Sequence, residues 1–439
     1  MKKRLLKLPA QKERGQALVL IAVSFVVILA FVGLVVDVGQ VFIQYAYLRR
    51  AVDSASLSAA AQFREFRTLA QMTQSANEFL RLNGIDDATA VVEICPPTAT
   101  PPFSDPVLCT SPWRRKLVRV RADNNVQLTF LSLVGLHEVT ISAEAIGEAA
   151  SLDVILVLDT SQSMAYDSGT DDPATCNPNC QPFADVRSAA AGFVDNMYFP
   201  YDRVAIVTFD QGAAIVQPLT DQKADALNAI NSLVLPGKIG NPPCDFAIPD
   251  QLNNSGCANT NIGGGLLRAS AALSDPNFVR ADSIWVVVLL TDGAANRTDP
   301  MPGFPNGYCP SSTWIQAGCF ANCGQPGYPD CYCPICRDID GTDTRHDFDS
   351  EPSLYDAEDY ARDRADELAT LSNRDMIIFT IGLGDQVVST LYGTPNAGEQ
   401  LLEYIADVGT GAYFASATAD DLGAIFEDIA QRIFTRITH

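Results

Sequence analysis

The sequence predicts an α/β fold, a doubly wound and mostly parallel sheet in the C-terminal part, preceded by a transmembrane helix and a small α+β module. Three observations predict it. Beyond Ser151, continuous apolar runs alternate with amphipathic helical stretches. Ahead of that, two segments alternate apolar and polar residues. Near the N-terminus, Ala17–Val36 runs for twenty residues without a charge.

The N-terminal run comes first. At ~1.5 Å per residue, a helix of that length crosses about 30 Å, the thickness of a bilayer core. Lys2, Lys3, Arg4, Lys7, Lys12 and Arg14 precede it, against Glu13 alone. This bias expects residues 1–14 in the cytoplasm, a membrane helix within 15–38, and everything after it outside a cell membrane crossed once. The apolar run exceeds the roughly 7–15 residues of a cleaved signal, so an uncleaved anchor is expected.

Residues 39–149 form the second region. Val38–Phe63 reads as helix, with Ala51, Ala55, Ala59 and Ala60 along it. Residues 64–94 read as helix and then strand. Cys95 and Cys109 bracket a Pro-rich excursion, and a disulfide closing that loop is expected. Lys116–Ala122 and Val139–Ala145 alternate as strands do. Nothing in this module points to chemistry.

Residues 150–439 form the third region. Its apolar runs are Val154–Leu158, Val204–Phe209, Ile284–Leu290 and Met376–Ile381, with a weaker one at Ala412–Ala415. Helical stretches fall near 183–197, 221–234, 262–274, 356–373, 398–407 and 418–435. Strands apolar on both faces, separated by helices, indicate a parallel sheet covered on both sides. Two insertions, 236–259 and 293–352, lack periodicity and carry cysteines. The chain has twelve cysteines, all after residue 90, which fits disulfides made in an oxidising compartment. Cys176/Cys180 and Cys244/Cys257 are expected as local bridges. The six from Cys309 to Cys336 allow fifteen pairings, or a zinc site with the C-x-x-C at 333–336, and disulfides are the simpler account. The acidic stretch Asp338–Asp343 lacks EF-hand spacing and reads as a solvated face.

Net charge is −22, with 19 % charged and 47 % hydrophobic residues. A chain that acidic repels nucleic acid, so no such partner is expected. Three histidines, none beside a nucleophile motif, and the lack of a phosphate-binding loop give no support to an enzyme.

One constellation carries chemistry. The run Val154–Leu158 ends in Asp159-Thr160-Ser161-Gln162-Ser163, and Ile284–Leu290 ends in Thr291-Asp292-Gly293. Thr260-Asn261-Ile262 stands just before a helical stretch. Ligand sites of open parallel sheets form at the carboxyl ends of strands, so three oxygen sources converge on one edge. The simpler reading has Asp159 capping the following helix, with Ser161 and Ser163 bonding loop amides.

Two resemblances follow from these residues. Arg14-Gly15, Asp37-Val38-Gly39 and Ala51-Val52-Asp53-Ser54-Ala55 make the first fifty residues after the basic segment resemble TadE/TadG-like Flp pilus-assembly proteins. Residues 151–436 resemble von Willebrand factor A (vWA) and integrin I domains, whose Rossmann-like sheet carries a metal-ion-dependent adhesion site. By that resemblance Ser161 and Ser163 are direct hydroxyl ligands, Thr260 is the threonine of the second loop, and Asp159 and Asp292 are the acidic residues. Mg²⁺ suits a few carboxylates among neutral hydroxyls; Mn²⁺ fits the same oxygen cage and Ca²⁺ less well. The resemblances imply an acidic side chain of a protein ligand at the metal, pilus or secretion-assembly proteins as partners, and the membrane through residues 17–36. The competing expectation is a pilus-assembly scaffold whose metal site is not used for ligand binding.

Overall fold

A computed structural model describes residues 16–165, 179–235, 260–302 and 345–436, apart from short gaps at 279, 281–282, 352–354, 372–375, 385–386, 389–395, 417 and 419–420. The chain divides into two compact units, one formed by residues 1–109 and 116–149, the other by 110–115 and 150–439.

The first unit is built on one continuous helix, α1 (Gln16–Ala61), which joins the expected anchor and the helix after it into 46 residues. Its two halves differ in what they bury. Leu18–Val36 expose their apolar side chains almost throughout, as a lipid-facing helix does. Leu48, Ala51, Val52, Ala55 and Ala59 are fully buried, at the 3–4-residue spacing of one helix face. That face carries α2 (Leu69–Leu82) and an antiparallel sheet of β1 (Val91–Ile94), β2 (Lys116–Gln127) and β3 (Glu138–Ala149) in the order β1-β2-β3. A capping box between Thr68 and Gln71 starts α2. Gly147 allows the close packing of β3 on α1, since a side chain there would strike the Ser56 backbone. The expected bridge is present: Cys95 and Cys109 are disulfide-bonded. β2 and β3 run several residues beyond the alternating segments that predict them, to a turn at 128–137.

The second unit holds a six-stranded sheet. β4 (Ser151–Asp159), β5 (Arg203–Phe209), β7 (Ser283–Thr291), β8 (Met376–Leu383) and β9 (Ala412–Ser416) are parallel to their neighbours. β6 (Ala213–Thr220) pairs antiparallel with β5 at one edge, and the order is β6-β5-β4-β7-β8-β9. β6 is the strand that sequence patterning does not reveal. It alternates half-buried and exposed residues, carries Pro218 and pairs irregularly, as an edge strand can.

The apolar runs are continuous because successive side chains enter opposite cores. Val154, Leu156 and Leu158 of β4 join Val286, Val288 and Leu290 of β7 on one face. Helices α3 (Phe183–Asp195), α4 (Lys223–Ser232) and α8 (Leu422–Arg436) cover that face. Ile155 and Val157 join Val287 and Leu289 on the other, under α5 (Ile262–Ser274), α6 (Ala357–Thr370) and α7 (Ala397–Val408). Each buried Val, Leu or Ile contributes roughly 1.5–3 kcal/mol, so this two-sided burial fixes which ends of the strands lie together. Cys180 is disulfide-bonded. The expected pairs Cys176/Cys180 and Cys244/Cys257, the cysteines from 309 to 336 and the acidic stretch 338–343 lie wholly or partly outside the described residues.

Candidate metal centre

From β4 the chain crosses to β5 on one side and later returns to β7 on the other. The carboxyl ends of β4 and β7 therefore flank the crevice where strand order reverses. Asp159 is the last residue of β4, and Thr291 the last of β7. The Thr291 hydroxyl donates to Asp159 Oδ2 at 2.6 Å and ties the two ends together.

Beyond Asp159 the chain turns sharply. The Ser161 amide donates to Asp159 Oδ1 at 2.7 Å, and the Thr160 amide and hydroxyl donate to the Phe209 carbonyl at the end of β5. The turn brings Ser161 Oγ and Ser163 Oγ to 2.9 Å from one another. Ser163 Oγ donates to Asp292 Oδ1 at 2.7 Å. Asp159 closes the turn through the Ser161 amide, where the simpler reading has it cap the following helix. The two serine hydroxyls instead join each other and a carboxylate from the other strand.

The third loop is held alongside. Asn296 Oδ1 accepts from the Thr260 amide, and the Asn296 amide donates back to the Thr260 carbonyl. A Cβ on Gly293 would lie 3.5 Å from Thr260 Oγ1, so this hydroxyl borders the residue after Asp292. Asn261 Oδ1 caps α5 by accepting from the Gly264 amide, and the Asn261 amide donates to the Asp210 carbonyl. All five residues singled out in the sequence thus lie on three loops at one sheet edge.

The electrostatics of this edge are unusual. Asp159 is wholly buried and Asp292 is 6 % exposed, yet among the described residues their hydrogen-bond donors are hydroxyls and backbone amides, not cations. Burial pushes the Asp159 carboxyl up to about 6, and the nearby Asp210 adds to the rise. Burial, and then the charge of Asp159, hold Asp292 well above the ordinary carboxylate range. Two buried acids side by side favour neither charge, unless a cation sits between them.

The donor set fits a small hard cation. It is all oxygen, with two carboxylates and neutral hydroxyls. Neighbouring ligands of an octahedral ion at about 2.0–2.1 Å lie about 3 Å apart, close to the serine–serine and serine–aspartate spacings here. Among the described residues, no group of three or more His, Cys, Asp or Glu side chains is placed to hold a metal. A site of this kind depends on hydroxyls.

Three contributors were not singled out by sequence reasoning. Thr291 stands in the quoted Thr-Asp-Gly, and its role shows only when β4 and β7 pair. Asp210 follows a buried strand at its carboxyl end, the same signal that marks Asp159 and Asp292. Asn296 carries no sequence signal at all.

Comparison with known proteins gives two family matches. Residues 15–62 match the Flp pilus-assembly TadE/G-like family, and residues 154–294 match the von Willebrand factor type A domain. These are the two families whose motifs the sequence carries, and domains of the second commonly bind a metal. None of the curated protein sequences compared with the chain matches it. Among solved structures, proximal thread matrix protein 1 of the mussel byssus is similar at 16 % identity and TM-score 0.36, over 64 % of this chain and 47 % of its own. This chain thus spans about half the length of that protein. The von Willebrand factor domain of the type V pilus tip protein Mfa5 from Porphyromonas gingivalis is similar at 17 % identity and TM-score 0.39, over 66 % of this chain and 97 % of its own. The PilB minor pilin of Streptococcus sanguinis is similar at 15 % identity and TM-score 0.41, over 80 % of both chains.

Proposed function

We propose that this chain, with its TadE/G-like anchor and its vWA domain, binds a protein or surface ligand through Mg²⁺ in adhesion or Flp pilus assembly. The family matches support the coarser statement, a single-pass anchored protein of adhesion or pilus assembly. One observation carries the finer one: two buried carboxylates meet a pair of serine hydroxyls at the edge where β4 and β7 part, with no basic side chain among the described residues bonded to them.

In this reading Ser161 and Ser163 hold the ion directly, Thr260 closes the third side, and Asp159 and Asp292 supply the charge. Bound there, Mg²⁺ supplies a Lewis-acidic position for an oxygen of the partner. Because two carboxylates and neutral hydroxyls would hold it, the residues here would leave the ion able to accept an Asp or Glu oxygen of that partner. The bases ahead of the anchor keep the N-terminus cytoplasmic and the vWA domain outside.

The test is made in cells that carry the Asp292→Asn variant in place of the native chain. Insertion and abundance stay at the native level. Mg²⁺-dependent attachment or surface pili, whichever the native chain supports, fall to background. Native piliation and attachment with this variant would instead favour the scaffold reading, in which the metal edge is not used for ligand binding.

A further inference from the structure

The turn joining β2 and β3 has no place in that function, yet it is conspicuously apolar and exposed among the described residues outside the anchor. Leu128–Leu136 is uncharged in a chain of net charge −22. Leu133 is 84 % exposed, Val134 75 %, Leu136 57 % and Phe130 43 %.

Its position along α1 can be read from its contacts. Gln40 Nε2 donates to the Gln127 carbonyl at the end of β2. Three residues down the helix, the Asp37 carboxylate accepts from the amides of Thr129, Phe130 and Leu131. Four residues further, a Cβ on Gly33 would lie 2.7 Å from Phe130 Cβ. At ~1.5 Å per residue, the hairpin descends about 10 Å along α1 from Gln40 to Gly33. Gly33 lies inside the uncharged run Ala17–Val36, and Asp37 is the first charge after it. From Leu18 to Val38, Gly33 and Asp37 are the two buried positions, both on the face that meets this turn.

We propose that this turn is a membrane wedge, whose Phe130, Leu133, Val134 and Leu136 enter the acyl region of the leaflet at the C-terminal end of the anchor. The proposal rests on the reading of α1 as a membrane anchor. Irregular backbone enters lipid only when its polar groups are satisfied. Here the amides of Leu128, Leu133, Gly135 and Leu136 bond within the turn, and those of Thr129, Phe130 and Leu131 bond Asp37. Asp37 thereby spends its charge on the turn instead of facing lipid. The occupant is lipid because the turn is level with the part of α1 whose own side chains face lipid. The wedge would fix the depth and rotation of the anchor against the small sheet.

The test uses the full chain in phosphatidylcholine vesicles, with quenching by lipids brominated near the head end of the acyl chain, and in a second set of vesicles near its tail end for the position at the middle of the span. Single substitutions Leu133→Trp, Ile28→Trp and Leu57→Trp are each read against the native chain, which has three tryptophans. The fluorescence added by Leu133→Trp is expected to be blue-shifted and largely lost to quenching, while that of the exposed Leu57→Trp persists. Val134→Trp repeats the reading on the neighbouring side chain. Quenching of Ile28→Trp without quenching at 133 and 134 would overturn the wedge and leave the anchor standing. No quenching at 28 would overturn the anchor and the wedge together.

Discussion

Replacing Asp159 by Asn is expected to weaken Mg²⁺ binding by more than about 100-fold, the upper range for loss of a group that only orients a metal ligand. Asn keeps the size of the side chain and can still accept from the Ser161 amide or the Thr291 hydroxyl. The fold is therefore retained while the charge is lost. Isothermal calorimetry on the full chain in detergent measures the affinity, and thermal unfolding checks it by linkage. For the native chain, Mg²⁺ at about 100 times its dissociation constant adds about 2.7 kcal/mol of stability. For the variant the same concentration adds almost none. An Asn variant with native Mg²⁺ affinity would remove Asp159 from the centre. Asp159→Ala is the harsher change. It also strips a buried acceptor from two donors, at about 1–3 kcal/mol, so its loss of binding would be mixed with a loss of structure.

The second large effect is at the opposite end of the same strand. Asp153 is buried near the start of β4, and its carboxylate receives Arg203 Nε at 2.8 Å and Nη2 at 2.7 Å, and Arg280 Nη2 at 2.6 Å. The Ser283 hydroxyl donates to it and accepts from the Trp285 indole N–H. Arg203 is wholly buried and Arg280 nearly so. Asp153→Ala removes the carboxylate that two interior guanidinium groups share, and about 3–5 kcal/mol of stability is expected to be lost. Denaturant unfolding followed by tryptophan fluorescence measures it; an unchanged midpoint would contradict this account of the network. The same carboxylate sets a pH dependence. Burial would raise its pKa, but the hydrogen bond and charge of Arg203 and the charge of Arg280 outweigh burial and hold it below the ordinary value. Its contribution is therefore complete above about pH 4–5, where the unfolded carboxylate is already ionised, and is lost as pH falls through the lowered native value.

The sheet was legible in the sequence because both its faces are covered. Val154–Leu158 and Ile284–Leu290 read as unbroken apolar runs, and no other common element is apolar on every side at that length. The carboxyl ends of those runs then picked out Asp159 and Asp292 without reference to any structure. β6 escaped because it sits at an edge, where half its side chains face solvent and Pro218 is tolerated. Thr291 and Asn296 escaped for a different reason. Their parts are played toward residues 132 and 36 positions away, Asp159 and Thr260, and only the folded pairing reveals such partners. The turn at 128–137 carries no sequence signal, because its apolar residues have neither helical nor strand period; only its contacts with Asp37 and its closeness to Gly33 mark it.

The most direct measurement of the central claim is anomalous diffraction from crystals of the full chain grown with Mn²⁺, which stands in for Mg²⁺ and scatters anomalously. A single strong peak is predicted among Ser161, Ser163 and Asp292, within about 2.0–2.4 Å of both serine hydroxyls. A map with no peak at that edge, or with manganese held only elsewhere on the chain, would contradict the account.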